Sequence, residues 1–260
     1  MKLLWRYTVY HFRSQLEYRV SFWLTTLGQF LVPFVSFAGM ALLFRQFGTL
    51  EQWTLSDVAL LYGVTQLAFA FNELFIRGFD SFSSLVVSGE FDRLLVRPRN
   101  MVLQVLGSKQ DFTRFGRLVQ STIVFVWAIA NASFQWTFLK GVCLALMVFG
   151  GMGIFAALFM GFATLSFWTI KGLEVVNLFT DGGREMAQYP LTIYPKAIQR
   201  FFTFAVPFFV VNALPLFFLT DVPGYEAAIY AFVPLIGFLA LVPAYFIWNY
   251  GVRHYQSTGS

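Results

Sequence analysis

The feature that most constrains this chain is residues 141–170, a run of 30 residues without one charged side chain. A helix crosses a bilayer with about 20 mostly apolar residues, so this run exceeds one crossing. Five further stretches have the same character. Residues 21–44 are uncharged, residues 58–76 are interrupted only by Glu73, and residues 118–139 are uncharged. Residues 201–220 are uncharged but carry Pro207 and Pro215, and residues 227–251 carry Pro234 and Pro243. Composition agrees. The chain is 58% hydrophobic and 12% charged, where soluble domains average about 45–50% and roughly 25%. These stretches predict an all-α integral membrane protein with six transmembrane helices, in a single transmembrane domain over residues 1–260.

Lysine and arginine placement orients the spans. Positive residues concentrate on the cytoplasmic side of membrane proteins. Lys2, Arg6, Arg13 and Arg19 precede the first span. Arg77, Arg93, Arg97, Arg99, Lys109, Arg114 and Arg117 lie between the second and third. Lys171, Arg184, Lys196 and Arg200 lie between the fourth and fifth, and Arg253 follows the sixth. Only Arg45 and Lys140 fall opposite, with Glu51, Asp57, Asp221 and Glu226. Both termini are therefore expected in the cytoplasm. Residues 1–20 read as retained, because the apolar stretch is too long for a cleaved signal and no small-residue cleavage site follows. There Trp5, Val9, Phe12 and Leu16 share one helical stripe, and Lys2, Arg6, Arg13 and Glu17 the next. That pattern suits a helix lying in the membrane interface, or a plain basic anchor.

Reactive constellations are missing. The two histidines, His11 and His254, stand near opposite ends of the chain, and Cys143 is the one cysteine. No zinc-binding pair, nucleophile elbow or phosphate-cradling P-loop occurs. No metal ligand set and no nucleic-acid partner are expected. Gly150, Gly151 and Gly153 lie inside an uncharged span and read as close helix packing rather than a binding loop. Polar groups within the spans are sparse, and Gln29, Gln66, Glu73 and Asn212 are the candidates for a substrate path. Gln66 and Glu73 share a helix face, seven residues apart, and are expected near the interface between two copies. An ionisable group at bilayer centre costs about 2.5–3.5 kcal/mol on insertion scales. Arg77, four residues after Glu73, stands at salt-bridge spacing.

Residues 77–117 form the longest polar loop and contain Ser88-Gly89-Glu90-Phe91-Asp92-Arg93-Leu94-Leu95-Val96-Arg97-Pro98. Gly89 breaks the preceding helix and Pro98 stops the next. Between them a short helix over 90–97 is expected. Phe91, Leu94 and Leu95 would share an apolar face, and Glu90, Arg93 and Arg97 a charged one. An apolar knob with a charged rim suits a groove in a partner protein.

The run from Gly89 to Pro98 resembles the signature of type-2 ABC export permeases, in particular the small six-span subfamily that includes viologen and drug exporters. Further matches occur in order along the chain. They are Glu17-Tyr18-Arg19, Trp53-Thr54-Leu55, Leu165-Ser166-Phe167-Trp168-Thr169, the Tyr-Pro pairs at Tyr189-Pro190 and Tyr194-Pro195, Val206-Pro207-Phe208, and Asn212-Ala213-Leu214-Pro215. The resemblance implies a permease in a bacterial inner membrane, paired with a second permease chain, identical or homologous. Two copies of a separate ABC ATPase subunit would bind ATP and Mg²⁺, and this chain would hold no cofactor. The helix over 90–97 would be the coupling helix. Phe91, Leu94 and Leu95 would dock in the ATPase, with Glu90, Asp92, Arg93 and Arg97 as the rim.

Two alternatives remain in the sequence. Residues 201–220 form the fifth span in the favoured arrangement. In its rival, residues 173–189 cross and residues 201–220 dip back as a Pro-broken re-entrant pair. An ATP-independent carrier or assembly scaffold is the competing function, and it would leave the loop indifferent to changes at Phe91.

Overall fold

The computed structural model describes residues 2–169 and 173–257, with side chains described for 4–169 and 179–257. Lys171 lies outside them, as do the side chains of Lys2 and Glu174. Every regular element among the described residues is helical. The helices are α1 (Lys2–Glu17), α2 (Arg19–Phe47), α3 (Leu55–Phe75), α4 (Arg77–Asp80), α5 (Phe82–Val87), α6 (Glu90–Leu95) and α7 (Met101–Ser108). They continue with α8 (Phe115–Ala130), α9 (Phe138–Leu165), α10 (Leu173–Ala187), α11 (Lys196–Phe204), α12 (Leu214–Leu219), α13 (Ile236–Leu239) and α14 (Leu241–His254).

The axis of the bundle is α3. Of its most apolar stretch 89% is buried, against 17% for α2. It starts on a capping box. The Thr54 hydroxyl accepts from the Asp57 N–H, and the Asp57 carboxylate accepts from the Thr54 N–H at 3.0 Å. The same carboxylate lies at the positive end of the helix dipole. Both α8 and α9 pack along α3, α2 lies outside α8, and α14 lies against α9. Gly150 and Gly153 explain the closeness of α9 to the last helical segment. A Cβ on Gly150 would overlap the Pro234 carbonyl oxygen, and one on Gly153 that of Gly237. The glycine run is helix packing, with no binding loop.

Four helical segments are long and apolar enough to cross a membrane: Arg19–Phe47, Leu55–Phe75, Phe138–Leu165 and Val233–His254. Against the expected six, α8 is a 16-residue helix. The fifth candidate is a pair, Lys196–Phe204 and Phe209–Leu219, bent by 91°. Residues 201–220 are therefore not one continuous span. The physical reason is Pro207, which has no N–H to continue α11. Beyond it Phe208 drops against Phe155, with ring centroids 5.0 Å apart. A π-helical turn, Phe209–Ala213, then leads into α12.

The bend matches the Pro-broken pair of the rival arrangement, and the contacts set α10 along α3. Beside α3, α10 climbs from the Phe75 end. The Arg184 guanidinium lies 4.8 Å from the centre of the Phe69 ring, and the Thr65 hydroxyl donates to the Ala187 carbonyl at 3.1 Å. Further on, the Trp53 indole N–H donates to the Thr192 hydroxyl at 3.1 Å, next to the start of α3. The chain then doubles back through α11, where Phe201 meets Phe179 at 5.9 Å. After the bend it rises again. Asn212 donates to the Thr65 hydroxyl at 3.1 Å, and Phe217 stacks on Trp53 at 5.5 Å. Lys196 and Arg200, counted on the basic side from sequence, thus belong to α11, which starts near the opposite end. At that end Lys140 donates to both carboxylate oxygens of Asp221, at 2.7 and 2.6 Å.

At the basic end, α1 lies across the polar loop. His11 Nε2 is 2.9 Å from the Gly107 carbonyl. The Gln15 amide donates to the Gln110 carbonyl at 2.6 Å and accepts from the Phe112 N–H at 2.8 Å. Trp5, Tyr10 and Phe12 remain exposed. The stripe of Trp5, Val9, Phe12 and Leu16 is split: Trp5 stays exposed, while Phe12 meets the Phe112 ring at 5.2 Å and Leu16 packs on Phe22, Leu74 and Phe112, beside the polar anchors His11 and Gln15.

Candidate functional site

The polar loop folds into four short helices because glycine and polar caps punctuate it. Gly89, at φ +70°, makes the left-handed turn between α5 and α6, a conformation that glycine alone adopts without steric cost. At the far end of α6 the Gln104 amide donates to the Leu94 and Arg99 carbonyls, each at 3.2 Å. Asn100 caps α7 by accepting from the Leu103 N–H. Near α8, Asp111 accepts from the Thr113 hydroxyl at 2.6 Å. Burial pushes the Asp111 carboxyl up most strongly, but Thr113, Arg114 and Arg77 together outweigh it and hold it below the usual carboxylate value.

The face of α6 is turned the opposite way from the sequence expectation. Phe91 is 0% exposed. Its ring packs against Phe82 at 4.9 Å, Tyr255 at 5.0 Å and Phe167 at 5.5 Å. Phe82 and Phe167 in turn meet Trp248, at 4.8 and 5.4 Å. Leu94 also packs on this cluster. Phe91 is therefore not free to dock in a partner, and Leu94 is half-buried. The reason is energetic: the aromatic box formed by α5, the end of α9 and α14 removes the whole ring from water, and burying an aromatic residue is worth several times a surface contact. Asp92 is half-buried and accepts from the Ser257 hydroxyl at 2.6 Å. What α6 leaves exposed is Glu90, Arg93, Leu95 and Arg97, with Val96 at 82%. Leu95 is outward although it lies four residues from Phe91, because the helix ends there. Sequence reasoning missed Val96. Its apolar side chain between Arg93 and Arg97 was the available signal.

A charged network lies one layer deeper. Glu73, on α3, accepts from Arg77 at 2.9 Å, the expected four-residue pair, and also pairs with Arg114 at 3.2 Å and with Arg117. Arg77 reaches Asp80 at 3.3 Å and Arg114 reaches Asp111 at 3.2 Å. Three carboxylates thus balance three guanidiniums, which is what permits so many charges to be buried together. Burial raises the Asp80 carboxyl above its usual value, against the pull of Arg77. Gln29 on α2 accepts from Arg114 at 2.8 Å and from Arg117 at 3.3 Å. The contributions of Arg114 and Arg117 come from residues some forty positions away, and no local pattern announces them.

The four expected path residues do not share a free surface. Gln66, Glu73 and Asn212 are buried inside the single chain, and Gln29 is partly buried. Glu73 and Gln29 belong to the charged network, and Asn212, in the π-helical turn before α12, to the contact with Thr65 of α3. Glu73 finds Arg117 of α8, and the face it shares with Gln66 is buried. It is covered by the chain itself rather than left open to a second copy. Among the described residues, no group of three or more His, Cys, Asp or Glu side chains could hold a metal ion.

No curated protein and no solved structure matches this chain. The family model described as ABC-2 family transporter protein matches residues 30–259. That match covers the buried α3 axis, the polar loop with α6, the bent pair and the last helix, and the chain belongs to the ABC-2 family of membrane transporter proteins.

Proposed function

We propose that this ABC-2 permease is one half of an ATP-driven exporter, paired with a second permease and moved by two separate ATPase subunits that bind ATP and Mg²⁺. In this reading the basic end faces the cytoplasm of a bacterial inner membrane. The six crossings are α2, α3, α8, α9, α10 and Val233–His254, and α11 and α12 form a re-entrant pair from the outer face. The wide apolar sides of α2 and of the last segment are left for lipid and for the partner permease.

One observation carries the coupling role. Its inner face is locked and its outer face is free: Phe91 is sealed in the aromatic box, while Val96 and Leu95 protrude between Glu90, Arg93 and Arg97. A short helix of that kind transmits a push. Force on Val96 passes through Phe91 to Phe167 at the end of α9 and to Trp248 on α14. The test is affinity purification from its own cells. The chain should bring down an ABC ATPase in stoichiometric amount, and Val96→Asp should lose it while still reaching the membrane. A permease purified without any ATPase would favour the ATP-independent carrier, and a Val96→Asp variant that keeps ATPase and export would remove Val96 from the docking surface.

A further inference from the structure

A groove between α1, α2 and α8 belongs neither to the coupling helix nor to the charged network. It measures about 610 Å³ and is walled by Leu16 of α1, Trp23, Leu27 and Phe30 of α2, and Phe115 and Val119 of α8. Its lining is almost wholly apolar. Gly116 sets the approach of the two long walls. A Cβ there would overlap the Thr26 carbonyl oxygen, so α2 and α8 touch at this point. Outward the groove stays open, with Trp23 63%, Leu27 52% and Val119 51% exposed.

The basic end of the groove is Arg19, the first residue of α2. It stands one turn before Trp23, and Leu27 and Phe30 follow on the same helical stripe. Arg19 is exposed and has no ion-pair partner among the described residues. From Arg19 to Phe30, α2 rises about 16 Å at 1.5 Å per residue. One leaflet is half of a hydrocarbon core of about 30 Å. The groove therefore runs the depth of one leaflet, with its charged end at the headgroups. Arg6 and Arg13 are exposed nearby on α1, where Glu17 is the one acid among the described side chains. The mouth of the groove thus carries an excess of positive charge.

An acyl chain fits the apolar part and an anionic headgroup the basic end. A second copy of the chain fits worse. Two permeases in one membrane are related by an axis along the bilayer normal, and such an interface uses the same patch on both. Copies that shared this groove would bring two Arg19 side chains to one depth, where like charges repel.

We propose that this groove binds one anionic phospholipid, with an acyl chain between α2 and α8 and its phosphate on Arg19. Leu16 reaches the same chain from α1, so the bound lipid joins α1 to the two spans. A zwitterionic lipid offers an equal acyl chain, but its headgroup has no net charge to offset Arg6, Arg13 and Arg19. Headgroup charge is therefore what the site selects. The inference goes beyond the exporter reading and needs neither an ATPase nor a cargo.

Native mass spectrometry tests it on the full-length chain, released from nanodiscs holding equal phosphatidylglycerol and phosphatidylcholine. The parent should retain one phosphatidylglycerol in preference to phosphatidylcholine. Arg19→Gln should lower that preference by roughly fivefold, the scale of one arginine beside an anionic surface. Arg99→Gln, an exposed charge in the polar loop, should leave it unchanged. Leu27→Trp and Val119→Trp fill the groove from opposite walls, and each should reduce retention of both lipids. Both positions are exposed, so the unfolding midpoint in detergent should hold. Equal retention of the two lipids by the parent, or an equal loss in Arg19→Gln and Arg99→Gln, overturns the headgroup assignment. Parental lipid retention in both filled variants overturns the groove. If Leu27→Trp instead breaks a dimer while lipid stays bound, the groove belongs to the second copy and the proposal falls.

Discussion

The ring of Phe91 meets that of Tyr255 edge-on, with centroids 5.0 Å apart and planes at 81°. A residue of the polar loop and one that follows the last helix are thereby parts of one packing unit, with Phe82, Phe167 and Trp248 as its other walls. Truncating a fully buried Phe to Ala costs about 3–5 kcal/mol through lost transfer energy and the cavity left behind. We expect Phe91→Ala to lower the thermal unfolding midpoint of the purified permease and its yield in the membrane. Phe91→Leu should lose less. An unchanged midpoint in Phe91→Ala would contradict the burial.

Val96 separates docking from folding. Its side chain protrudes from the end of α6 and packs on nothing within the chain that Val96→Asp would disturb. The unfolding midpoint should stay at the parental value. Truncating an interface anchor costs about 2–4 kcal/mol, so ATPase retention should fall by roughly tenfold or more. A titration of purified ATPase onto permease in nanodiscs measures this. Parental affinity in Val96→Asp would remove Val96 from the docking surface.

The Glu73 network should respond asymmetrically. Glu73→Gln leaves Arg77, Arg114 and Arg117 around an uncharged amide, and breaking a buried ion pair from one side costs about 3–5 kcal/mol. Arg77→Gln leaves Glu73 with two guanidiniums and should cost less. Gln66→Leu should be nearly silent in both stability and export, because the Gln66 carbonyl oxygen is buried with no hydrogen-bond partner. Thermal unfolding of the three variants tests the order, and a Glu73→Gln protein as stable as the parent would contradict it.

At the opposite end the Lys140–Asp221 pair gives a second asymmetry. Lys140 is buried, whereas the Asp221 side chain is 63% exposed. Asp221→Asn keeps a residue type tolerant of the positive φ at that position but leaves a buried ammonium without its carboxylate. Lys140→Met leaves a carboxylate that water can reach. Asp221→Asn should therefore be the more destabilising, by about 1–3 kcal/mol. The comparison of unfolding midpoints decides it, and the reverse order would sink the argument.

Much of this protein was determined by sequence alone. Long uncharged runs require a helical membrane protein, because only internal backbone hydrogen bonding satisfies a chain in hydrocarbon. The order of motifs from Trp53 to Pro215 pointed to the ABC-2 family. Gly89, the Glu73–Arg77 spacing and the packing role of Gly150 and Gly153 were also legible, since each rests on contacts within one or two turns or on the properties of a single residue. The tertiary structure decided three further matters. It turned Phe91 inward, because Phe82 of α5, Phe167 after α9, and Trp248 and Tyr255 of the last helix and its end converge from three segments. It folded residues 201–220 into a bent pair, because the niche that receives Phe208 is made by Phe155 and Phe202. It turned Arg184 onto Phe69 and left Asp181 and Glu185 outward, a division that helical periodicity on α10 could not assign without knowing where α3 lies. Local chemistry is written in neighbouring residues, but which face of a helix is inside depends on partners that adjoin it only after the chain has folded.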